Sequence, residues 1–182
     1  MPIRDADPQR DAAACLEIYE PYVRETAISF EEVVPTLEEF AQRIRATVAT
    51  HAWLVFEDDE AHIAAYAYGG VHRTRAAYRW TAEVTAYVDR SRHRAGIGRR
   101  LYSELFDRLR ERGFQLAVAG ITLPNDASVG LHRALGFEPV GIYRGMGWKL
   151  GRWHDVGWWQ LQLRDPHDEP PPELRSTTSR PA

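Results

Sequence analysis

The order of elements readable in this chain predicts an α+β fold, a sheet with flanking helices rather than a doubly wound parallel sheet. Two helical periods come one after the other, two apolar runs then share a short acidic turn, and two more strand-like runs close the pattern. Strands and helices therefore do not alternate throughout as repeated βαβ units would require. With 182 residues, 44% hydrophobic and 27% charged, the chain has the length and composition of one domain around one real core.

Ile3 and its neighbours form a short strand, closed by Asp5-Ala6-Asp7-Pro8. Over residues 8–24, Ala12, Cys15, Leu16, Tyr19, Tyr22 and Val23 recur at a helical period, and Pro21 is expected to break or kink that helix near its end. Thr36-Leu37-Glu38-Glu39 is a capping box after Pro35, opening a second helix with Leu37, Phe40, Ile44 and Val48 on one face. Residues 52–56 and 63–68 are apolar runs around Glu57-Asp58-Asp59-Glu60, an antiparallel pair, and residues 69–77 read as a loop rich in Gly and Arg. Residues 80–88 alternate, with Trp80, Ala82, Val84, Ala86 and Val88 on one face and Thr81, Glu83, Thr85 and Tyr87 on the other. Ile97, Leu101, Leu105 and Leu109, four apart, make a third helix ending near Gly113. Residues 116–121 form a strand, 126–135 a short helix closed by Gly136, and 137–143 and 156–163 the last two strands. Prolines at 166, 170, 171, 172 and 181 among polar filler mark 166–182 as a disordered tail and leave 1–165 as the domain.

Composition narrows the function classes. A net charge of −3 and a pI of about 6.2 argue against a dedicated nucleic-acid binder, which is usually strongly basic. Of the 23 basic residues only Lys149 is a lysine, which reads first as codon bias and only weakly as phosphate-binding chemistry. The single cysteine, Cys15, excludes an internal disulfide, speaks against a structural zinc site, and on an apolar helix face belongs to the core. No run approaches 18 apolar residues and Met1-Pro2-Ile3-Arg4-Asp5 is not a signal sequence, so a soluble cytoplasmic protein without a membrane or metal partner is expected.

The segment from residue 80 to 113 carries the chemistry. After its strand comes Asp89-Arg90-Ser91-Arg92-His93-Arg94-Ala95-Gly96-Ile97-Gly98, where Gly96 and Gly98 allow close backbone approach and the following helix N-terminus offers free N–H groups. Arg94, Arg99 and Arg100 add positive charge, which together describes a pyrophosphate cradle. It is neither a Walker A loop nor a full G-x-G-x-x-G fingerprint, because Leu101 stands where the third Gly would be. A second segment follows, Leu123-Pro124-Asn125-Asp126-Ala127-Ser128 and then Leu131-His132-Arg133-Ala134-Leu135-Gly136-Phe137.

Strand, G-x-G helix, strand, Asn-started helix and Leu-Gly-Phe exit resemble the GNAT superfamily of acyl-CoA N-acyltransferases. Its loop pattern, Gln/Arg-x-x-Gly-x-Gly/Ala, falls on the run from His93 to Gly98, with His93 replacing the usual Gln or Arg. Ser29-Phe30, Arg73-Thr74-Arg75-Ala76-Ala77-Tyr78-Arg79-Trp80-Thr81-Ala82-Glu83, Leu123-Pro124-Asn125-Asp126 and Gly151-Arg152-Trp153-His154-Asp155-Val156-Gly157 narrow the resemblance to the phosphinothricin N-acetyltransferase branch, over about residues 3–163. The resemblance implies a mixed, mostly antiparallel central sheet flanked by about four helices. It also implies a homodimer, acetyl-CoA as co-substrate, and a small amino-acid acceptor of the phosphinothricin, methionine sulfoximine or methionine sulfone type. On that basis the pantetheine runs along Ala86, Tyr87 and Val88, the pyrophosphate sits on Arg94, Ala95, Gly96, Ile97, Gly98 and Arg99, Asn125 lies near the pantetheine, and Phe30 belongs to the acceptor site.

Individual residues fill in the chemistry. Glu83 is unusual in mid-strand, where a carboxylate has no structural benefit, and could deprotonate an incoming ammonium. In many superfamily members a tyrosine seven positions after the Asn protonates the departing thiolate; here that position holds His132, so the acid is His132, Tyr87 or a water. Arg73 and Arg75 beside Tyr78 could clamp a carboxylate or phosphinate, while Trp153 and His154 shape a closing strand or a subunit contact. Two other readings stay open: an acyl-CoA sensor without turnover, and a protein N-terminal acetyltransferase.

Overall fold

In the computed structural model, which describes residues 2–92, 96–165 and 173–174, the chain runs β1 (Ile3–Asp5), α1 (Ala12–Glu25), α2 (Leu37–Thr50), β2 (Ala52–Glu57), β3 (Ile63–Val71), β4 (Thr81–Val88), α3 (Ile97–Arg112), β5 (Leu116–Leu123), α4 (Asp126–Ala134), β6 (Glu138–Lys149) and β7 (Arg152–Gln162). The strands form one sheet in the order β1-β2-β3-β4-β5-β7-β6. All neighbours are antiparallel except β4 and β5, so the sheet is mixed and mostly antiparallel with four helices, as expected.

Alternation along the strands sorts side chains to two faces. Leu54, Phe56, Ala65, Ala67, Ala82 and Val84 join Leu101, Leu105 and Leu109 of α3 in the larger core. Trp53, Val55, Tyr66 and Tyr87 point to the other face, where Cys15, Tyr19, Tyr22, Phe40 and Ile44 of α1 and α2 cover them. Each fully buried large apolar side chain contributes about 1.5–3 kcal/mol, so each face of the sheet is fastened to its own helices. α2 starts where the capping box predicts: the Thr36 hydroxyl accepts from Glu39 N, and the Glu39 carboxylate accepts from Thr36 N at 2.7 Å.

Several elements depart from the sequence reading. α1 continues four residues past Pro21 to Glu25, because Ile18, Tyr22 and Val23 on either side of it are buried. Leu37 is 51% exposed; only Phe40, Ala41 and Ile44 of α2 are buried. β3 takes in Gly69 and Gly70, which read as loop. Gly69 lies under α3, where a Cβ would stand 3.1 Å from Leu109 Cδ2, so the glycine marks a close helix rather than a turn.

β6 and β7 are also longer than expected and meet in a hairpin whose central residues, Leu150 (φ +50°) and Gly151 (φ +76°), are both left-handed. A bulge around Gly145 hid the continuity; the Asp155 carboxylate holds it, accepting from Gly145 N at 2.8 Å and Arg144 Nη1 at 2.6 Å. Of the tail, Glu173 and Leu174 are described: Leu174 packs on the larger core beside Gly113, and Glu173 lies 3.6 Å from Arg79. Leu174 finds an apolar seat.

His51 closes α2, its N–H donating to Thr47 O at 2.7 Å and its ring 4.8 Å from that of Phe114. Burial, and then the charge of Arg112, pushes its pKa down to about 4. A folded pKa below the unfolded one means that the unfolded chain takes up the proton first. This stabilisation is complete above about pH 6.5 and is lost as pH falls toward 4, a span worth about 3 kcal/mol. Unfolding in urea at pH 7 and pH 4 should therefore show a larger loss in the parent than in His51→Asn, by about 3 kcal/mol. Equal losses would remove His51 as the source.

Candidate active site

β4 and β5 pair over three positions only, Thr81 with Leu116, Ala82 with Ala117 and Glu83 with Val118. On its other side β4 is bonded to β3 along seven residues, from Ala82 to Val88, and β5 is bonded to β7 along its whole length. Each strand follows its own half-sheet, so beyond Glu83 and Val118 the two diverge. The stretch Val84, Thr85, Ala86 and Tyr87 then has no strand along its second edge, and it borders a cavity of about 500 Å³. Ala119, Gly120, Ile121 and Thr122 of β5 form the opposite wall, and Phe30, Glu31, Asn125 and His132 also line it.

Eight residues separate the end of β4 from the start of α3. Its N-cap, Gly96, sits at φ +73°, where an L side chain is strained, and makes no side-chain cap. A glycine cap offers no side-chain acceptor to the N–H groups of Ile97, Gly98 and Arg99, and a helix start of this kind suits an anion. Gly98 has a packing role as well: a Cβ there would lie 3.3 Å from Leu131 Cδ2, so its absence lets α4 approach α3. Arg99 is exposed, whereas Arg100 lies over the Phe56 ring at 5.0 Å. His93, Arg94 and Ala95 lie outside the described residues.

Glu83 is the last paired residue before the fork and lines the cavity. Its carboxylate has a structural partner after all, correcting the sequence reading: Oε2 lies 3.0 Å from His72 Nδ1. His72 went unnoticed because the apparent loop from residue 69 concealed its place directly after β3. Tyr87 is 7% exposed within a cluster of Tyr19, Tyr22 and Tyr66, and burial raises its phenol well above the ordinary range. It keeps its proton.

His132 is 3% exposed, with its Nδ1 2.8 Å from Ser128 O. A carbonyl only accepts, so Nδ1 carries the hydrogen. Nε2 is buried without a hydrogen-bond partner among the described residues. Burial lowers the ring's pKa and the bond to Ser128 opposes this only in part, leaving a neutral imidazole with a free lone pair. Asn125 caps α4 through Oδ1, which accepts from Ser128 N at 3.1 Å, so its amide N–H₂ is the group it can offer the cavity.

The loop between α1 and α2 brings Phe30 and Glu31 to the same cavity. Lys149, 5% exposed, holds this loop by donating from Nζ to Val23 O and Ser29 O, each at 2.6 Å. The one lysine among arginines was the signal: a compact ammonium fits between two carbonyls where a planar guanidinium would not. Glu31 is paired with Arg43 of α2. Arg73, Arg75 and Tyr78 are exposed on the segment between β3 and β4, outside the cavity lining, with the Tyr78 ring 6.3 Å from that of His72. His154 is buried against Lys149 O, inside the β6–β7 hairpin. Among the described residues no group of three or more His, Cys, Asp or Glu could hold a metal, and no helix is long and apolar enough to cross a membrane.

A family model, acetyltransferase (GNAT) domain, matches residues 4–158. The chain belongs to the GNAT acetyltransferase family. It is 39% identical to the phosphinothricin N-acetyltransferase of Streptomyces viridochromogenes, over 92% of this chain and 90% of that protein. It is 37% identical to the L-methionine sulfoximine/L-methionine sulfone acetyltransferase of Salmonella typhimurium, over 93% and 98%. Among solved structures, the GNAT superfamily phosphinothricin acetyltransferase of Sinorhizobium meliloti, crystallised in complex with AcCoA, superposes with a TM-score of 0.90 at 34% identity, covering 94% of this chain and 93% of that one.

Gly147 shows how closely this GNAT chain packs around its cavity, since a Cβ there would lie 2.4 Å from Phe30 Cε2. Gly147→Ala should lower stability by about 1–3 kcal/mol in thermal melts. In the Phe30→Ala background the same change should cost much less. Strictly additive losses would show that the ring is not what Gly147 accommodates.

Proposed function

We propose that this chain transfers the acetyl group of acetyl-CoA to the α-amine of a small amino acid or analogue of the phosphinothricin, methionine sulfoximine or methionine sulfone type. The observation that carries the reading is the fork of β4 and β5, with Glu83 at its apex and strand edge along one wall, followed in the chain by a helix whose N-cap is the left-handed Gly96. The names of the relatives support the acceptor class. When bound, acetyl-CoA supplies the acetyl group as an activated thioester. The residues present suit it: backbone of Ala86, Tyr87 and Val88 for the pantetheine with Asn125 nearby, and Arg94, Ala95, Gly96, Ile97, Gly98 and Arg99 for the pyrophosphate.

Glu83 takes a proton from the acceptor's ammonium, since only the free amine is nucleophilic. A backbone N–H on the open edge of β4 meets the negative charge that builds on the acyl oxygen, a contribution of about 3–4 kcal/mol. The neutral resting state of His132 supports a receiving role: Nε2 takes the proton that the nitrogen sheds after attack and returns it to the departing sulfur. Tyr87, with its proton held tightly, offers a hydrogen bond rather than an acid. Phe30 packs on the acceptor, and Arg73 and Arg75 with Tyr78 meet its acidic group, a reading supported by their place on the segment that carries His72. The setting is the cytoplasm, and the second subunit of a homodimer covers the β6 edge, where Val140, Ile142 and Trp148 are more than 45% exposed.

A thiol-release assay with acetyl-CoA against amino acids, methionine sulfone and phosphinothricin included, tests the reading. Release only with peptide termini, or binding without release, would favour the protein-acetylating or sensor alternatives. Glu83→Gln should lower kcat near pH 7 by about 10²–10⁴ with acetyl-CoA affinity retained, and part of the loss should return at high pH where free amine is abundant. A parental rate near neutral pH would move the base elsewhere. Arg99→Glu should weaken acetyl-CoA by about tenfold or more in calorimetry while leaving the acceptor KM nearly unchanged. An unaltered affinity would remove Arg99 from the pyrophosphate site.

A further inference from the structure

His72 stands one residue beyond the end of β3, where the register pairs Gly70 with Glu83 and Val71 with Ala82. That register turns the imidazole back toward the apex of the fork, and its Nδ1 reaches Glu83 Oε2 at 3.0 Å. Among the described residues no other group is hydrogen-bonded to the Glu83 carboxylate. An ionised carboxylate only accepts, so Nδ1 is the donor and carries the hydrogen.

The imidazole is itself held. Its side chain is 15% exposed, its ring meets Trp158 edge-on at 5.5 Å, and the Tyr78 ring packs on it at 6.3 Å. Trp158 in turn lies over Gly120 of the opposite cavity wall, where a Cβ would stand 3.3 Å from its ring. A line of contacts therefore runs from Gly120 through Trp158 and His72 to one oxygen of Glu83. The Glu83 side chain is 39% exposed and has three rotatable bonds, so without such a tie it would spread over several rotamers.

We propose that His72 is a positioning residue for Glu83, its Nδ1–H fixing Oε2 so that Oε1 is presented to the acceptor's ammonium. The proposal rests on the reading of Glu83 as base. Orientation matters here because a misplacement of about 1 Å in a reacting group can cost about a hundredfold in rate. The competing account is packing alone, with His72 serving as an aromatic plug between Trp158 and Tyr78.

Two substitutions separate these accounts. His72→Phe keeps a flat ring and removes the donor; His72→Asn puts an amide N–H near the place of Nδ1 and removes the ring. Positioning predicts that His72→Phe lowers kcat roughly ten- to hundredfold with the acetyl-CoA KM changed less than about twofold, and that His72→Asn recovers most of that loss despite a lower Tm. In the Glu83→Gln background His72→Phe should cost nothing further, because its effect passes through the carboxylate. A parental kcat in His72→Phe beside a slow Glu83→Gln overturns the proposal and leaves the base reading standing. A parental rate in Glu83→Gln overturns both.

Discussion

Everything at the functional site depends on β4 and β5 being bound more extensively to their outer neighbours than to each other. Three parallel pairs join them, against seven pairs between β3 and β4 and eight between β5 and β7. Backbone hydrogen bonds are obligatory wherever water is excluded, so a strand that leaves its neighbour must find another use for its edge. Here that edge faces a cavity. The apex is equally determined. The last pair is Glu83 with Val118, which sets the carboxylate where the gap begins.

The sheet keeps its order around the fork because helices pack on both of its faces. α3 fastens one face through Leu101, Leu105 and Leu109, all fully buried, while α1 and α2 cover Trp53, Tyr66 and Tyr87 on the other. The β6–β7 hairpin adds a third fastening. Through Lys149 it captures the end of α1 and the loop after it, and through Gly147 it makes room for Phe30. A strand at the far edge of the sheet thereby determines where an aromatic ring stands in the cavity wall.

Much of this was legible in the sequence wherever one local pattern carried it. The capping box at Thr36, the four-residue spacing of Leu101, Leu105 and Leu109, and the alternation around Glu83 each encode their structure within a few residues. Glycine was the main source of error. Gly69 read as loop and Gly145 lay beyond the expected strand end at Tyr143, yet one lies under a helix and the other in a bulge within a continuous strand, since a glycine signals close approach as readily as a turn. His72 and Lys149 were hidden for another reason. Their partners are 11 residues away for His72 and more than 100 for Lys149, and such pairings follow from strand register rather than composition.

Burial of Lys149 has a consequence for the protein's own chemistry. The chain contains one lysine and one cysteine; the lysine is 5% exposed with both its bonds made to carbonyls, and Cys15 is 0% exposed with its thiol pushed up to about 12. Acyl thioesters slowly modify accessible amines, and free coenzyme thiols form mixed disulfides with accessible thiolates. Neither the lysine amine nor the cysteine thiolate is exposed on the surface of this fold. A catalyst of thioester chemistry is thus spared side-chain acylation at lysine and disulfide capture at cysteine, and amine- or thiol-directed labels would find those same side chains closed to them.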